Sequence, residues 1–190
     1  MEYDGNEYID TGVTPNETIE FEIAYMPTNV RAESTGMLSA RSYTQSGGTT
    51  SNYSISFWAK GTQIAFNDKE YDSAWRSGIT SYGVIQYVSV RQRSLYVNDA
   101  LVVSSGKTST FSFDVTYGLL RGHYINDTWD NRRGSSGRLY SCKIWKDDSL
   151  VRDFIPVRIE TTGYMYDNVS GELYGNDGTG SFTLGPDKNA

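Results

Sequence analysis

An alternation of apolar and polar residues along residues 18–28, TIEFEIAYMPT, is the feature that most constrains the fold. A period of two residues is typical of a β-strand with one face in a hydrophobic core, because successive side chains point to opposite faces. The strand is predicted to have a core face of Ile19, Phe21, Ile23 and Tyr25 and an outer face of Glu20, Glu22 and Ala24. No window shows the long period of about 3.6 residues that an amphipathic helix would need. The chain is therefore predicted to form strands.

Turn residues divide the rest of the chain into short strand-like runs. Three hairpins are predicted, with turns at 98–99, 147–148 and 168–171, because the Asn, Asp and Gly residues there tolerate the backbone angles of tight turns. Pro156 predicts an edge position or a strand end, since proline cannot donate a ladder hydrogen bond. Two apolar sets alternate in residues 83–90, which predicts a strand covered on both faces. About twelve short strands predict an all-β, two-sheet antiparallel sandwich.

Length and composition limit the classes of function. The 190 residues are enough for one well-buried core, and residues 1–190 are predicted to form a single domain. The net charge is −6 and no dense basic run occurs, which argues against nucleic-acid binding. No apolar run approaches the roughly 18 residues of a membrane span, so no membrane insertion is predicted.

The cysteine content and the first residues bear on the cellular compartment. Cys142 is the one cysteine, so an internal disulfide is excluded and the residue is predicted to be a buried core side chain. The opening MEYDGNEYIDTG lacks the basic and apolar segments of a signal peptide. This predicts either a protein that stays in the cytoplasm where it is made or a domain of a longer exported protein.

Most of the chain resembles laminin-G-like, concanavalin A-like jelly-roll domains. TIEFEIAYMPT resembles their early strand, and LYVNDALV (95–102) resembles their hairpin with an Asn-containing turn. Three further stretches are similar to proteins of gut bacteria and their phages: YIDTGVTPN (8–16), GRLYSCKIWKDDSLVRDFIPV (137–157) and GYMYDNVSGELYGNDGTGSF (163–182). The match is weakest over residues 43–80. The resemblance implies a concanavalin A-type jelly roll, a fold that carries lectins, adhesion modules, glycan hydrolases and purely structural domains.

The outward pair Glu20 and Glu22 raises the question of catalysis. Jelly-roll β-glucanases carry three acids on one strand in a Glu-x-Asp-x-(x)-Glu pattern, and a retaining pair of carboxyls lies about 5 Å apart across the bond that is cut. Here the third position falls on Ala24 or Tyr25, so the pattern is incomplete. We therefore expect no enzyme, and we expect the two glutamates to be solvent-facing residues opposite a cross-strand Lys or Arg.

Two loops combine aromatic rings with polar side chains, as protein–sugar recognition requires. The loop at 124–133 supplies the predicted glycan-binding residues Tyr124, Asn126, Asp127, Trp129, Asp130, Asn131 and Arg132. The loop at 67–76 supplies Trp75 and Arg76, beside Tyr71 and Asp72. The alternative for either tryptophan is a lid packed over the sandwich edge. Trp58 is a third exposed candidate, whereas Trp145 is predicted to serve in packing.

No resident metal or other cofactor is predicted. The single histidine cannot supply a His-based metal cluster, and no His-x-Glu or paired-Cys spacing occurs. The run GNDGTG at 175–180 lacks the spacing of a calcium loop and is predicted to make a tight turn instead. Calcium binding by Asp127, Asp130 and Asn131 is left open and is not predicted.

The expected function is that of a non-enzymatic surface module on a phage virion, in a head fibre, a capsid decoration or a tail-associated protein. Its partners would be other virion subunits and bacterial surface glycans, with a homo-oligomer such as a trimer. The phage setting is implied by the resemblance alone. Two alternatives remain: a purely structural capsid or tail subunit without a ligand, and a diverged glycan hydrolase or carbohydrate-binding module of a bacterial surface protein.

Overall fold

The computed structural model describes residues 1–28, 35–41, 55–60, 62–68, 71–72, 75–124, 128–129 and 136–185. These residues form strands and no helix. In chain order the strands are β1 (Glu2–Tyr3), β2 (Ile9–Asp10), β3 (Glu20–Pro27), β4 (Thr35–Arg41), β5 (Ser56–Lys60), β6 (Gln63–Asp68), β7 (Tyr71–Asp72), β8 (Gln86–Arg91), β9 (Ser94–Val97), β10 (Ala100–Ser104), β11 (Gly118–Leu119), β12 (His123–Tyr124), β13 (Thr128–Trp129), β14 (Gly137–Lys146), β15 (Ser149–Ile159), β16 (Thr162–Asp167) and β17 (Leu173–Tyr174).

The strands are arranged in two sheets. The larger sheet has the order β10-β9-β8-β3-β14-β15-β16-β17, with β1 also paired to β14. The smaller sheet has the order β13-β12-β4-β5-β6-β7, and β11 joins β4 to β2. Neighbouring strands run antiparallel, apart from the short parallel pairing of β12 with β4. The predicted all-β architecture with two antiparallel sheets is therefore confirmed.

Both sheets contribute side chains to one hydrophobic core. The predicted core face of β3 is buried, and its Tyr25 ring meets Phe57 of the smaller sheet edge to face, with ring centroids 5.8 Å apart. Cys142 is also buried there, as predicted, and burial raises the pKa of its thiol. Cys142 is therefore a neutral packing residue, as its place in an alternating strand predicted.

The three predicted hairpins are confirmed. Asn98 and Asp99 link β9 to β10 with φ angles of 50° and 63°, and Asp147 and Asp148 link β14 to β15 with 52° and 59°. The third turn joins β16 to β17 and contains Gly171 at φ 74°. Two successive residues with positive φ give a turn whose twist matches that of the flanking strands, which explains why Asn and Asp occupy these positions.

Pro156 lies at a local edge inside the larger sheet. The pairing of β15 with β14 ends at Phe154, and Pro156 pairs with Met165 of β16 on its other side. No pairing of β14 with β15 extends beyond Phe154 toward Pro156, and the beginning of β14, at Gly137 and Arg138, pairs with β1. The prediction of an edge position is thus confirmed in a local sense, because the missing proline N–H faces the side where no strand pairs with it.

Two predictions about exposure are wrong. Residues 83–90 are not a strand covered on both faces: β8 begins at Gln86, and Tyr87 is 63% exposed on the face that points away from the core. Trp58, predicted to be exposed, is only 4% exposed. It does point opposite to Phe57, but β5 lies between β4 and β6, and both of its faces are buried.

The two ends of the described chain lie side by side. Glu2 and Thr183 exchange two backbone hydrogen bonds of 2.9 and 3.1 Å. The nearby run 175–180 is held by Asn176, whose side-chain oxygen accepts hydrogen bonds from the backbone N–H groups of Tyr8 and Gly178. The prediction that its glycines serve a tight turn misses the reason for Gly178, where a Cβ atom would collide with the carbonyl oxygen of Asn6.

Candidate functional site

A groove of about 150 Å³ lies on the outer face of the larger sheet. It is found where β3, β8 and β14 run side by side, close to the β8–β9 and β14–β15 turns. Its lining consists of Thr18, Glu20, Phe21, Glu22, Val90, Arg91, Trp145 and Asp148. Phe21 and Val90 point into the core, so the side chains that the groove presents to a ligand are the polar residues and Trp145.

Strand pairing brings Trp145 beside the glutamate pair. Trp145 is the cross-strand partner of Glu20, and Lys143 is the partner of Glu22. Directly opposed side chains in an antiparallel pair have Cβ atoms about 4.5–5.5 Å apart. The half-buried indole of Trp145 is therefore a direct neighbour of the Glu20 carboxylate and lines the groove.

The backbone of the β8–β9 turn holds Glu20 in place. Gln92 and Arg93 form this turn with φ angles of 46° and 57°. The N–H group of Gln92 donates a 2.9 Å hydrogen bond to the Oε1 atom of Glu20. A carboxylate that accepts a backbone hydrogen bond has a restricted orientation, so the turn fixes one wall of the groove.

The opposite end of the groove is built by the β14–β15 turn. Asp147 accepts hydrogen bonds from the Thr18 hydroxyl at 2.8 Å and from the Asn16 amide at 3.1 Å. These two bonds, first that of Thr18 and then that of Asn16, hold the pKa of Asp147 below its usual value. The backbone N–H of Asp147 donates back to the Thr18 hydroxyl at 2.9 Å. This closed set of bonds anchors the turn that carries Asp148 into the groove.

The cations near the glutamates are engaged away from them. Lys143 lies opposite Glu22, as the solvent-face hypothesis predicts, but its ammonium is 3.8 Å from Asp153. Arg91 lies 3.4 Å from Asp99 and stacks over the Tyr96 ring at 4.7 Å. Within the described part of the chain, the exposed Glu22 carboxylate forms no hydrogen bond and no ion pair. The groove therefore offers a carboxylate that is free to bind a ligand.

The predicted site at 124–133 is described only through its backbone. Tyr124 ends β12 and Trp129 ends β13, and the register pairs Tyr124 with Thr128 and His123 with Trp129. Two short strands thus bring the two aromatic positions close together in what was predicted as a loop. The other predicted residues lie outside the described ranges: Asn126, Arg132 and the three that were left open for calcium, Asp127, Asp130 and Asn131.

The predicted site at 67–76 is separate from the groove. Trp75 is 39% exposed and Arg76 is exposed, in the smaller-sheet half of the protein. The backbone of Arg76 pairs with Ile64 through hydrogen bonds of 2.8 and 3.1 Å. Neither residue lines the groove. The predicted site residues did not include Thr18, Arg91, Asp148 or Trp145, although the alternation of residues 142–145 places Trp145 on the face opposite to the buried Cys142 and Ile144.

No protein-family model, curated protein or solved structure matches the chain. Over the ranges described, no three His, Cys, Asp or Glu residues are grouped so that they could hold a metal ion. No helix within those ranges is long and apolar enough to cross a membrane. The groove and its chemistry are therefore the basis for assigning a function.

Proposed function

We propose that this protein is a non-enzymatic, glycan-binding surface module and that it binds sugar in the groove around Trp145. The observation that carries the proposal is the presence in one groove of an aromatic ring and three carboxylates, those of Glu20, Glu22 and Asp148. A sugar ring stacks its C–H face on an aromatic surface while its hydroxyl groups donate hydrogen bonds to fixed acceptors. The groove holds both kinds of group.

For the fold we propose a jelly-roll sandwich of the concanavalin A and laminin-G type. Two antiparallel sheets around one core, adjacent chain ends and hairpins at the positions of the sequence resemblance all support this assignment. Such sandwiches present an open sheet face on which a ligand can lie, and the groove lies on such a face.

Binding without hydrolysis is favoured by the placement of the acids. Glu20 and Glu22 lie on the same strand with Cα atoms about 6.5–7 Å apart, so they form one side of the groove. The jelly-roll β-glucanase pattern places three acids on one strand, and a retaining hydrolase needs two carboxyls about 5 Å apart across the glycosidic bond. The position that would supply the third acid is occupied by Ala24, and the next residue, Tyr25, points into the core. The strand thus lacks the acid that the β-glucanase arrangement requires.

The setting that we propose is the surface of a phage virion, with other virion subunits as partners. This part rests on the sequence resemblance to proteins of gut bacteria and their phages. A gene located among capsid or tail genes would support it. A gene located among polysaccharide-degrading enzymes would instead favour a bacterial cell-surface protein.

The glycan-binding proposal is tested by comparing tryptophan variants. Trp145→Ala is expected to weaken binding of any glycan found on an array, because it removes the aromatic surface on which the sugar ring stacks. The expected loss of affinity is about tenfold or more, which corresponds to about 1.4 kcal/mol of binding free energy. Trp75→Ala is the matched control and is expected to retain binding, since Trp75 lies outside the groove. Trp129→Ala tests the loop at 124–133.

The outcomes of this comparison separate the hypotheses. Loss of binding in Trp75→Ala or Trp129→Ala, with Trp145→Ala unchanged, would move the site to the predicted loops. Hydrolysis of a glycan that disappears in Glu20→Gln would show an enzyme and contradict the proposal. The folded state of each variant is checked by its thermal unfolding midpoint.

A purely structural role is the second candidate, and the exposed apolar residues of the outer face favour it. One row of outward-facing residues, apolar except for Ser141, crosses the larger sheet from the exposed Tyr87 through the buried Ala24 to Ser141 and continues through Ile155 and Tyr166 to Leu173. The two halves meet where Cys142 faces Phe154, the last paired residues of β14 and β15. Its exposed bulky side chains, Tyr87 at one end and Ile155 and Leu173 toward the other, would be covered in a contact with a second copy of the chain.

A further inference from the structure

We infer that the groove selects sugars that carry a free, protonated amine, such as hexosamines without an N-acetyl group. This inference rests on the proposed function, because it assumes that a sugar occupies the groove. It concerns which class of sugar is bound, and it follows from how charge is distributed among the lining residues.

The lining is predominantly acidic. Its ionisable side chains are the carboxylates of Glu20, Glu22 and Asp148 and the guanidinium of Arg91. Arg91 is already paired, since it lies 3.4 Å from Asp99 and rests on the Tyr96 ring. Its positive charge is therefore partly compensated outside the groove, and the carboxylates determine the sign of the local potential.

The neighbouring lysine does not neutralise this potential. Lys143 faces Glu22 across the strands, yet its ammonium lies 3.8 Å from the Asp153 carboxylate. Asp153 and Lys143 compensate each other, which leaves Glu22 without an ion-pair partner among the described residues. A cation that enters the groove gains an attraction with Glu22 that no protein group already satisfies.

Trp145 makes an ammonium a better ligand than a metal ion. The face of an indole attracts a cation through its quadrupole, and an amino sugar presents an apolar ring face and an ammonium in one rigid molecule. Among the described residues, no acid cluster is arranged to coordinate a metal ion. An N-acetylated sugar would keep the ring stacking and lose the charge, and a uronic acid would be repelled by Glu20 and Glu22.

The test compares three oligosaccharides of equal length on the purified protein: glucosamine oligomers, their N-acetylated counterparts and galacturonic acid oligomers. Isothermal titration at about pH 6 keeps the amine protonated and the carboxylates ionised. The glucosamine oligomer is expected to bind about tenfold more tightly than the acetylated one, and the uronic acid oligomer more weakly than both. The preference is expected to shrink as salt is raised from about 50 to 300 mM.

Two variants locate the selectivity. Glu22→Gln is expected to weaken binding of the glucosamine oligomer about fivefold more than binding of the acetylated oligomer, because only the charged sugar loses an ionic attraction to this side chain. Glu172→Gln removes an exposed carboxylate near β17, outside the groove, and is expected to change neither.

Each outcome has a distinct meaning. Equal binding of all three oligomers would overturn the selectivity and leave glycan binding intact, whereas no binding of any glycan by the wild-type protein would overturn the proposed function itself. An amine preference that persists in Glu22→Gln would overturn the assignment to this residue. A lysine-rich peptide that binds as tightly as the glucosamine oligomer would overturn the requirement for a sugar ring.

Discussion

At the residue scale, a buried ion pair ties the two sheets together. Asp68 of β6 is fully buried and accepts hydrogen bonds from Arg93 at 3.0 Å and from the Ser105 hydroxyl at 2.5 Å. Arg93 belongs to the β8–β9 turn and also donates to the carbonyl of Lys107 at 2.9 Å. The smaller sheet therefore anchors the turn that positions Glu20, and the shape of the groove depends on the interior ion pair of Arg93 and Asp68.

Asp68→Asn is expected to lower the free energy of unfolding by about 3 kcal/mol, because it leaves the buried Arg93 guanidinium without its counter-ion. The matched control is Asp99→Asn, which removes the same type of partner from the exposed pair of Arg91 and Asp99, 3.4 Å apart. That control is expected to cost less than about 1 kcal/mol. Urea unfolding followed by tryptophan fluorescence measures both values. Equal losses in the two variants would contradict the distinction between the buried and the exposed pair.

At the scale of strands and hairpins, the sequence predicted what is local and missed what is distant. The turn at Asn98 and Asp99 was predictable because its chemistry lies in two adjacent residues. The pairing of Glu20 with Trp145 was not predictable, because the two residues are separated by most of the chain. Neither the sequence of β3 nor that of β14 alone indicates that these two strands are neighbours. The acids were therefore recognised while the aromatic partner that completes the groove was not.

The loop 175–180 is a second case in which the local sequence did not predict a tertiary contact. Its glycines were predicted to serve a tight turn, but Gly178 is required by a close approach to the N-terminal segment, where Asn6 lies against it. Close approach of two backbones depends on tertiary packing, and it cannot be inferred from the composition of one loop. The loop is thus an element that joins the two ends of the described chain.

Gly178→Ala is expected to destabilise the protein by about 2 kcal/mol or more, because the added Cβ atom would meet the backbone oxygen of Asn6, which cannot rotate away. Gly185→Ala is the control, since a Cβ atom at that position meets nothing within 4 Å, and it is expected to change stability by less than about 0.5 kcal/mol. Thermal unfolding compares the two. Equal midpoints would contradict the close approach of the two segments.

At the scale of the whole molecule, the two sheets differ in what their outer faces expose. Trp58 and Ala65 on the outer side of the smaller sheet are buried, whereas Tyr87 and Ile155 on the outer side of the larger sheet are exposed. Alternation predicted which side chains point outward, but whether an outward side chain is covered depends on other segments. The wrong predictions for Trp58 and Tyr87 have this common cause. The larger sheet is therefore the side on which both the groove and the apolar row are accessible.

The apolar row predicts self-association through this face if the structural role is correct. Wild-type protein is then expected to sediment as a dimer or larger species whose population rises with concentration. Tyr87→Lys or Ile155→Lys is expected to shift the protein to the monomer, because a charge placed in an apolar contact is costly to desolvate. Val84→Lys is the control, since Val84 is also exposed but lies outside the row. Analytical ultracentrifugation distinguishes the cases. A wild-type protein that stays monomeric at high concentration while Trp145→Ala abolishes glycan binding would leave the groove, and not the row, as the functional part of this face.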